Sequence, residues 1–358
     1  MVLLGVVLLV LLVALSFHPL SEALEIPFHH QEHHDGDEAE EKETKHPEAT
    51  PEPSATPQPS PPLPSATPPV PATPPVPATL RPSATPQPTP SKPPTATAPG
   101  KASHVLVLVL ENHSFDQIIG SSEAPYLNDL AQRYGLATNY QAVSHPSLPN
   151  YLALTGGSTF GINSDCTSCS VNAPNLADQL EAKGFTWKAY LEGMPSPCYP
   201  GATSASYAKK HNPFLYYDDI SGNQARCGRS IVPLTTLSGD LAGGTLPNFS
   251  FIVPDQCHDM HSCSVAEGDS WLASFLPGLL TSQPLHAGGV LFITFDEGTS
   301  DNHVATLVID PRIRAASRFT APYDHYSLVR TIEDVFGLGY LQHASDPQKT
   351  SLADVLPH

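Results

Sequence analysis

The sequence predicts an α/β fold with a mostly parallel sheet covered on both faces, and three observations lead there. Strand-length apolar runs recur at 105–110, 185–191, 249–253, 290–295 and 304–309, and helical segments separate them at 124–134, 148–154, 175–183, 270–280 and 326–336. Alternation of this kind marks parallel strands joined by crossover helices. The first run, Val-Leu-Val-Leu-Val-Leu, is continuous rather than alternating, as a strand buried on both faces requires. Three runs also end in acidic residues: Glu111, then Asp255, then Asp296-Glu297. Ligands gather beyond the carboxyl ends of such strands.

The chain has 358 residues, a formal charge of -18, 40 prolines and six cysteines. Residues 1–23 begin with an apolar run and carry small residues at Ser21-Glu22-Ala23, which predicts a secretory signal peptide. The run is shorter than the roughly 20 residues a spanning helix needs; an uncleaved anchor is the alternative. Residues 24–48 mix His29, His30, His33, His34 and His46 with a run of acids, a composition that stays solvated and disordered. Residues 49–102 repeat Pro-Ser-Ala-Thr-Pro and Pro-Ala-Thr-Pro-Pro-Val units, an extended spacer. At about 3.1 Å per residue it reaches on the order of 150 Å, enough for a stalk through a cell wall. Residues 103–358 form the folded domain, expected to be monomeric. Here 24 acidic side chains outnumber 13 basic ones after residue 100, which excludes a nucleic-acid partner. A bound cation still lets an acidic protein take a small phosphate ester.

All six cysteines follow the spacer, and the simplest pairing is 166–169, 198–227 and 257–263. Cys166 and Cys169 also have the spacing of a redox or zinc half-site, but no second pair follows at zinc-ribbon spacing. The region 193–240 has the look of an insertion or lid.

Five stretches carry chemistry. Glu111 and Asn112 end the first strand. Ser147 and Asn150 sit where Pro149 predicts the first turn of a helix, so that a hydroxyl and an amide face an anion site at the N-terminus. An N-cap is the plain alternative for Ser147. Asp255, His258, Asp259 and His261 crowd one strand end, and the density of donors favours metal. Asp296 and Glu297 reach one ion only if the strand breaks at Asp296, which Gly298 permits. His303 and His325 follow, the latter at a helix entry. A glycosidase needs two carboxylates rather than a serine among metal ligands, and no Gly-x-Ser-x-Gly elbow surrounds Ser147.

The ordered motifs ENHSFDQIIG, SHPSLPNYLALTGG, VPDQCHDMH, FDEG and YDHYSLVRTIEDVFG resemble the phosphoesterase family of secreted acid phosphatases and bacterial phospholipases C, over about residues 103–345. The resemblance implies an alkaline-phosphatase-like three-layer α/β/α sandwich and metal-assisted phosphoryl transfer through a covalent phosphoserine. Carried over, Glu111 and Asn112 match the first metal-binding pair and Asp296 and Glu297 the second. Ser147 matches the nucleophile and Asn150 the phosphate-holding amide, since Ser-Leu-Pro-Asn is similar to the Thr-Phe-Pro-Asn of related phosphodiesterases. Asp255, His258, His261 and His325 stand where relatives hold a further metal or phosphate. Two-zinc members usually show Asp-x-x-x-His and Asp-His-Gly, whereas Asp255 is followed by His258 and Glu297 stands in place of His. The oxygen-rich set suits Ca²⁺, Mg²⁺ or Mn²⁺ better than Zn²⁺. The expectation is thus an exported acid phosphatase acting on a small phosphate ester or phospholipid headgroup, with His258, His261, His303 and His325 as candidate proton donors. A phosphodiesterase on the same core and a non-catalytic surface cation binder are the alternatives.

Overall fold

The computed structural model describes residues 102–357. The expected signal peptide, the His/acid arm and the spacer up to residue 101 lie outside the described residues. None of the described helices is long and apolar enough to cross a membrane.

One eight-stranded sheet organises the domain. Its strands in chain order are Val105–Leu110 (β1), Gly135–Ala137 (β2), Trp187–Leu191 (β3), Ile231–Pro233 (β4), Phe249–Val253 (β5), Val290–Phe295 (β6), Thr306–Ile309 (β7) and Ser317–Phe319 (β8). Across the sheet they run β8-β2-β7-β6-β1-β5-β3-β4. Pairing is parallel throughout except for β7, which lies antiparallel between β6 and β2. β1 sits near the middle with every residue buried, and β5 and β6 flank it equally buried. Strands so sequestered need helices on both faces, and the helices fall into two packed groups. Pro125–Arg133 (α1) packs on Val265–Leu280 (α5); Ser147–Gly156 (α2) packs with Leu176–Ala182 (α3) and His325–Phe336 (α6). The expected mostly parallel α/β architecture is therefore present.

The region 193–240 is more than a lid. It returns β4 to the edge of the main sheet and supplies the short helix Thr236–Ala242 (α4). It also carries the turn at Lys209–His211, which enters the centre of the molecule. Its contribution to the sheet is only three residues long, too short to stand out as a strand in sequence. The three disulfides are Cys166–Cys169, Cys198–Cys227 and Cys257–Cys263, the local pairing expected.

Helix α6 begins at an Asp324 cap that accepts from Ser327 N–H and ends at Gly337, whose φ of 63° is the left-handed conformation glycine adopts freely. Within it Glu333 is fully buried and accepts a 2.7 Å hydrogen bond from Leu341 N–H. Burial pushes its carboxyl up to about 8. The folded state then keeps a proton that the unfolded chain releases, so stability is fully present below the ordinary carboxyl range and is lost as pH rises through about 8. Glu333→Gln keeps the acceptor and removes the ionisation. It is expected to be more stable than the wild type at pH 7, by on the order of 1–3 kcal/mol, with the difference closing near pH 4.5; urea melts at the two pH values check this.

Candidate active site

The site forms where β1, β5 and β6 end. Glu111, the residue after β1, is completely buried, and its N–H donates to the Asp259 carbonyl at 2.8 Å. Its Oε2 accepts a 3.0 Å hydrogen bond from Ser147 Oγ, and its Oε1 accepts a short one from Tyr151 OH. Ser147 opens α2, with Pro146 at the cap position offering no side-chain cap to the first free N–H groups. Tyr151 follows four residues later, on the same helix face. All ten residues of α2 are buried, so the hydroxyl is presented by a rigid element. His211 stacks on the Tyr151 ring at 5.3 Å. Its nitrogens lie 3.3 Å from Glu111 Oε2 and 3.2 Å from Asp259 Oδ2.

The second acidic pair arrives on β6. The strand ends at Phe295, and Asp296 breaks from it as the pattern required, its Oδ1 accepting from Asn112 N–H at 3.2 Å and from Glu297 N–H at 2.7 Å. Asn112 takes a left-handed φ of 53°, which turns the chain sharply after Glu111. Glu297 Oε2 lies 2.7 Å from His145 Nδ1, and that imidazole is about half exposed, two residues before Ser147. Lys210 Nζ lies 3.1 Å from Asp165 Oδ2 and 3.3 Å from His261 Nε2, while Asp165 Oδ1 accepts from Leu148 N–H at 3.0 Å.

Crowded, buried carboxylates cannot all ionise unaided. Burial, then the Asp259 charge, raises the Glu111 carboxyl well above its ordinary range. Asp296 is raised by burial, then by Glu111 and Glu297. Asp259 is pushed up to about 8, chiefly by burial. Burial disfavours the Lys210 charge, but Glu111 and Asp165 offset it and its pKa lies above that of a free lysine. Burial brings His211 down to about 3, with the Lys210 charge adding to it.

This donor set fits a divalent cation. Asn112 Oδ1 and Asp296 Oδ2 are buried without a hydrogen-bond partner, an unusual state for oxygen acceptors. Glu111, Asn112, Asp296 and Glu297 offer hard oxygens, and ligand atoms of Glu111, His211 and Asp259 lie within 4.8 Å of one another. Glu111 belongs to both groups. Cys257 and Cys263 near Glu267 offer no third site, because their sulfurs are joined in a disulfide.

The remaining expected residues fall in different places. Asn150 does not present its amide to the centre: Nδ2 donates to the Ser144 and Pro146 carbonyls at 2.9 and 3.2 Å, and Oδ1 accepts from Val143 and Ser144 N–H. It shapes the loop that delivers Ser147. Asp255 accepts from Cys257 and His258 N–H and from Ser206 Oγ, and with Glu192 and His258 it forms a separate cluster. Asp259, not Asp255, meets Glu111. His258 Nδ1 lies 2.9 Å from Glu192 Oε2. His303 stacks on Phe115 at 4.5 Å and bonds the Thr138 carbonyl at 3.1 Å. His325 bridges Tyr140 OH at 3.1 Å and the Asp296 carbonyl at 2.5 Å, and burial brings it down to about 4. With both nitrogens occupied and no proton to spare, it props the strand end rather than supplying an acid. His261 Nε2 stands 3.3 Å from Lys210 Nζ, and burial followed by the Lys210 charge brings its pKa down to about 4.

Sequence reasoning passed over His145, Tyr151, Asp165, Lys210 and His211. Tyr151 was discoverable from its spacing to Ser147. Lys210 and His211 were not, since the segment that carries them has no strand-like pattern.

The site thus sets a serine at a buried helix N-terminus, on a mostly parallel sheet, against carboxylates from two strand ends. A protein in the alkaline phosphatase superfamily from Vibrio parahaemolyticus has a similar fold, with a TM-score of 0.52 and 15% identity over 71% of this chain and 70% of that one. The chain belongs to the phosphoesterase family, whose profile matches residues 121–339. It is 32% identical to a phosphatidylinositol-3-phosphatase from Mycobacterium tuberculosis, over 68% of this chain and 80% of that protein. It is 31% identical to an acid phosphatase from Aspergillus fumigatus, over 64% of this chain and 54% of the fungal protein, so it matches only about half the length of that relative.

Because protons and a cation compete for the same carboxylates, stripping divalent ions with EDTA is expected to lower Tm at pH 8 and to leave it nearly unchanged at pH 5. The metal-free folded state holds protons at Glu111, Asp259 and Asp296 that the unfolded chain does not, so its stability falls as pH rises through about 8, the value for Asp259. Thermal melts with EDTA and with Mn²⁺ or Mg²⁺ restored check this; a Tm at pH 8 indifferent to both would contradict the fit.

Proposed function

We propose that the chain is an exported, divalent-metal-dependent phosphomonoesterase that works through a phosphoserine at Ser147. The observation that carries the reading is the 3.0 Å hydrogen bond from Ser147 Oγ to Glu111 Oε2 at the N-terminus of a buried helix. A bound divalent cation supplies charge neutralisation for the phosphoryl oxygens and lowers the pKa of the serine hydroxyl. Glu111, Asn112, Asp296 and Glu297 would hold it.

The chain's own groups do the rest. Glu111 takes the Ser147 proton as Oγ attacks phosphorus and the bond to the leaving oxygen breaks. Tyr151 OH keeps the Glu111 carboxylate oriented. Lys210, fixed by Asp165, places a cation beside the incoming phosphate. His145 is the histidine suited to protonate the leaving oxygen, since Glu297 engages Nδ1 and leaves Nε2 for transfer. Water then attacks the phosphoserine, giving a proton to His145 as the bond from phosphorus to Ser147 Oγ breaks; Glu111 returns its proton to Oγ, and inorganic phosphate leaves. The relatives named phosphatases support a monoester as substrate, a small phosphate ester or a phospholipid headgroup. Three disulfides support an oxidising compartment outside the cytoplasm.

Ser147→Ala is expected to abolish turnover of p-nitrophenyl phosphate with the fold retained, and acid-quenched wild type to show phosphate on Ser147 by mass spectrometry. Retained turnover would sink the mechanism. Bis(p-nitrophenyl) phosphate is expected to be the poorer substrate. His145→Gln is expected to slow alkyl phosphates by roughly 10²–10⁴, the range for loss of a general acid. It should slow p-nitrophenyl phosphate far less, because that leaving group needs no proton; equal losses on both would remove His145 from the acid role.

A further inference from the structure

The Cys166–Cys169 disulfide lies on the segment that joins α2 to α3, and no step of the phosphoryl transfer uses it. Thr167, Ser168 and Ser170 are exposed and the two cysteines are half-buried, so a thiol reagent can reach the sulfurs. Among the described residues, no backbone–backbone hydrogen bond involves positions 163–170. The stretch is held by packing of its two sulfurs on the core, by the ring that the disulfide closes and by three hydrogen bonds from outside it.

Those hydrogen bonds lead to the catalytic centre. Asp165, the residue before Cys166, accepts from Leu148 N–H at 3.0 Å through Oδ1 and from Lys210 Nζ at 3.1 Å through Oδ2. Inside the ring, the Thr167 carbonyl accepts from Lys209 Nζ at 2.8 Å. Leu148 directly follows the nucleophile, and Lys210 is the cation beside the phosphate. One carboxylate therefore sets the start of α2 in register with the turn at Lys209–His211. Opening the ring restores conformational freedom to a stretch that has no backbone bonds of its own. The other two disulfides differ. Cys198 and Cys227 are buried, and the loop between Cys257 and Cys263 keeps backbone bonds from Met260 N–H to the Cys257 carbonyl and from Ser262 N–H to the Gln256 carbonyl.

We propose that Cys166–Cys169 is a redox-sensitive clamp on the Ser147 site: closed, it holds Asp165 between Leu148 and Lys210; opened by a dithiol reductant, it frees that carboxylate and slows phosphoryl transfer. In the exchange one thiolate of the dithiol attacks a cysteine sulfur, the S–S bond breaks and the other cysteine leaves as thiolate. The second thiolate of the reductant then displaces the first cysteine. Two electrons and two protons end on Cys166 and Cys169 as thiols, and the reductant is left as a disulfide. Oxidising surroundings close the clamp, and reducing ones keep the same chain slow. The effect on rate rests on the phosphomonoesterase reading of Ser147; the contact that is broken does not.

The test is to reduce the protein with dithiothreitol, remove the reagent, restore Mn²⁺ and assay, while parallel samples are alkylated and the opened cysteines located by mass spectrometry. As Cys166 and Cys169 become labelled, kcat/KM for p-nitrophenyl phosphate is expected to fall roughly tenfold, and to return on reoxidation. Cys166→Ser/Cys169→Ser should show that loss without reductant and no further loss with it. Asp165→Asn keeps an acceptor for Leu148 N–H and removes the charge that holds Lys210. It is expected to be slow from the start and to lose less than about twofold on reduction, since the clamp acts through that carboxylate. A loss that follows labelling of Cys257 and Cys263 instead, or equal losses on reducing wild type and Asp165→Asn, would overturn the clamp. Hydrogen exchange at the Leu148 amide reads the same contact without turnover, and is expected to speed up roughly tenfold on reduction. If wild type hydrolyses no phosphate monoester while this exchange responds, the phosphomonoesterase reading fails and the clamp stands. Unchanged exchange with Cys166 and Cys169 labelled removes the clamp whatever the reaction.

Discussion

Glu111, Asp259, Asp296 and Glu297 are drawn out of water at one edge of the sheet, and the surrounding structure is arranged to make that tolerable. Buried carboxylates repel one another and lose solvation, so they persist only with protons, cations or hydrogen-bond donors to hand. All three appear. Tyr151 and Ser147 donate to Glu111, Asn112 and Glu297 backbone N–H groups donate to Asp296, and Lys210 brings a positive charge that its own burial disfavours. Acceptor oxygens are left over, among them Asn112 Oδ1, Asp259 Oδ2, Asp296 Oδ2 and Glu297 Oε2, which is where a divalent cation would complete the set.

The same constraint accounts for residues that touch no reacting group. His325 holds the Asp296 carbonyl, Asn150 ties the loop before Ser147, and Asn302 links Gly298 N–H to the Ser144 carbonyl. Each fixes a strand end or loop from which an acid or the serine projects. Such groups resemble catalytic residues in sequence because they lie within a few positions of them. What they transmit is position, and a displacement of about 1 Å at a phosphoryl-transfer site is costly in rate.

Much of this was legible in the residue order. Continuous apolar runs ending in acids identified the buried strands and the edge at which chemistry gathers, and Pro149 placed Ser147 at a helix start. Cysteine spacing indicated the three local disulfides. Roles were less legible. Asn150 carries the residue type expected for phosphate binding but spends its donors on backbone carbonyls, and His258 and Asp255 turn toward Glu192 instead of Glu111. Neighbouring positions on a loop can face different sites, and only the backbone path decides which.

The sequence by itself determined five of the eight strands, the acidic ends of three of them and the serine helix, because periodicity, burial and caps are local properties of the chain, whereas the three-residue strands carry no such signal. Tertiary structure alone brought Lys210 and His211, some 100 residues from Glu111, into the acidic centre, and set Trp271 and Phe275 beside Glu192. Electrostatic compensation and cavity shape are pairwise properties of distant segments. They exist only once the sheet order β6-β1-β5-β3-β4 has laid those strand ends side by side.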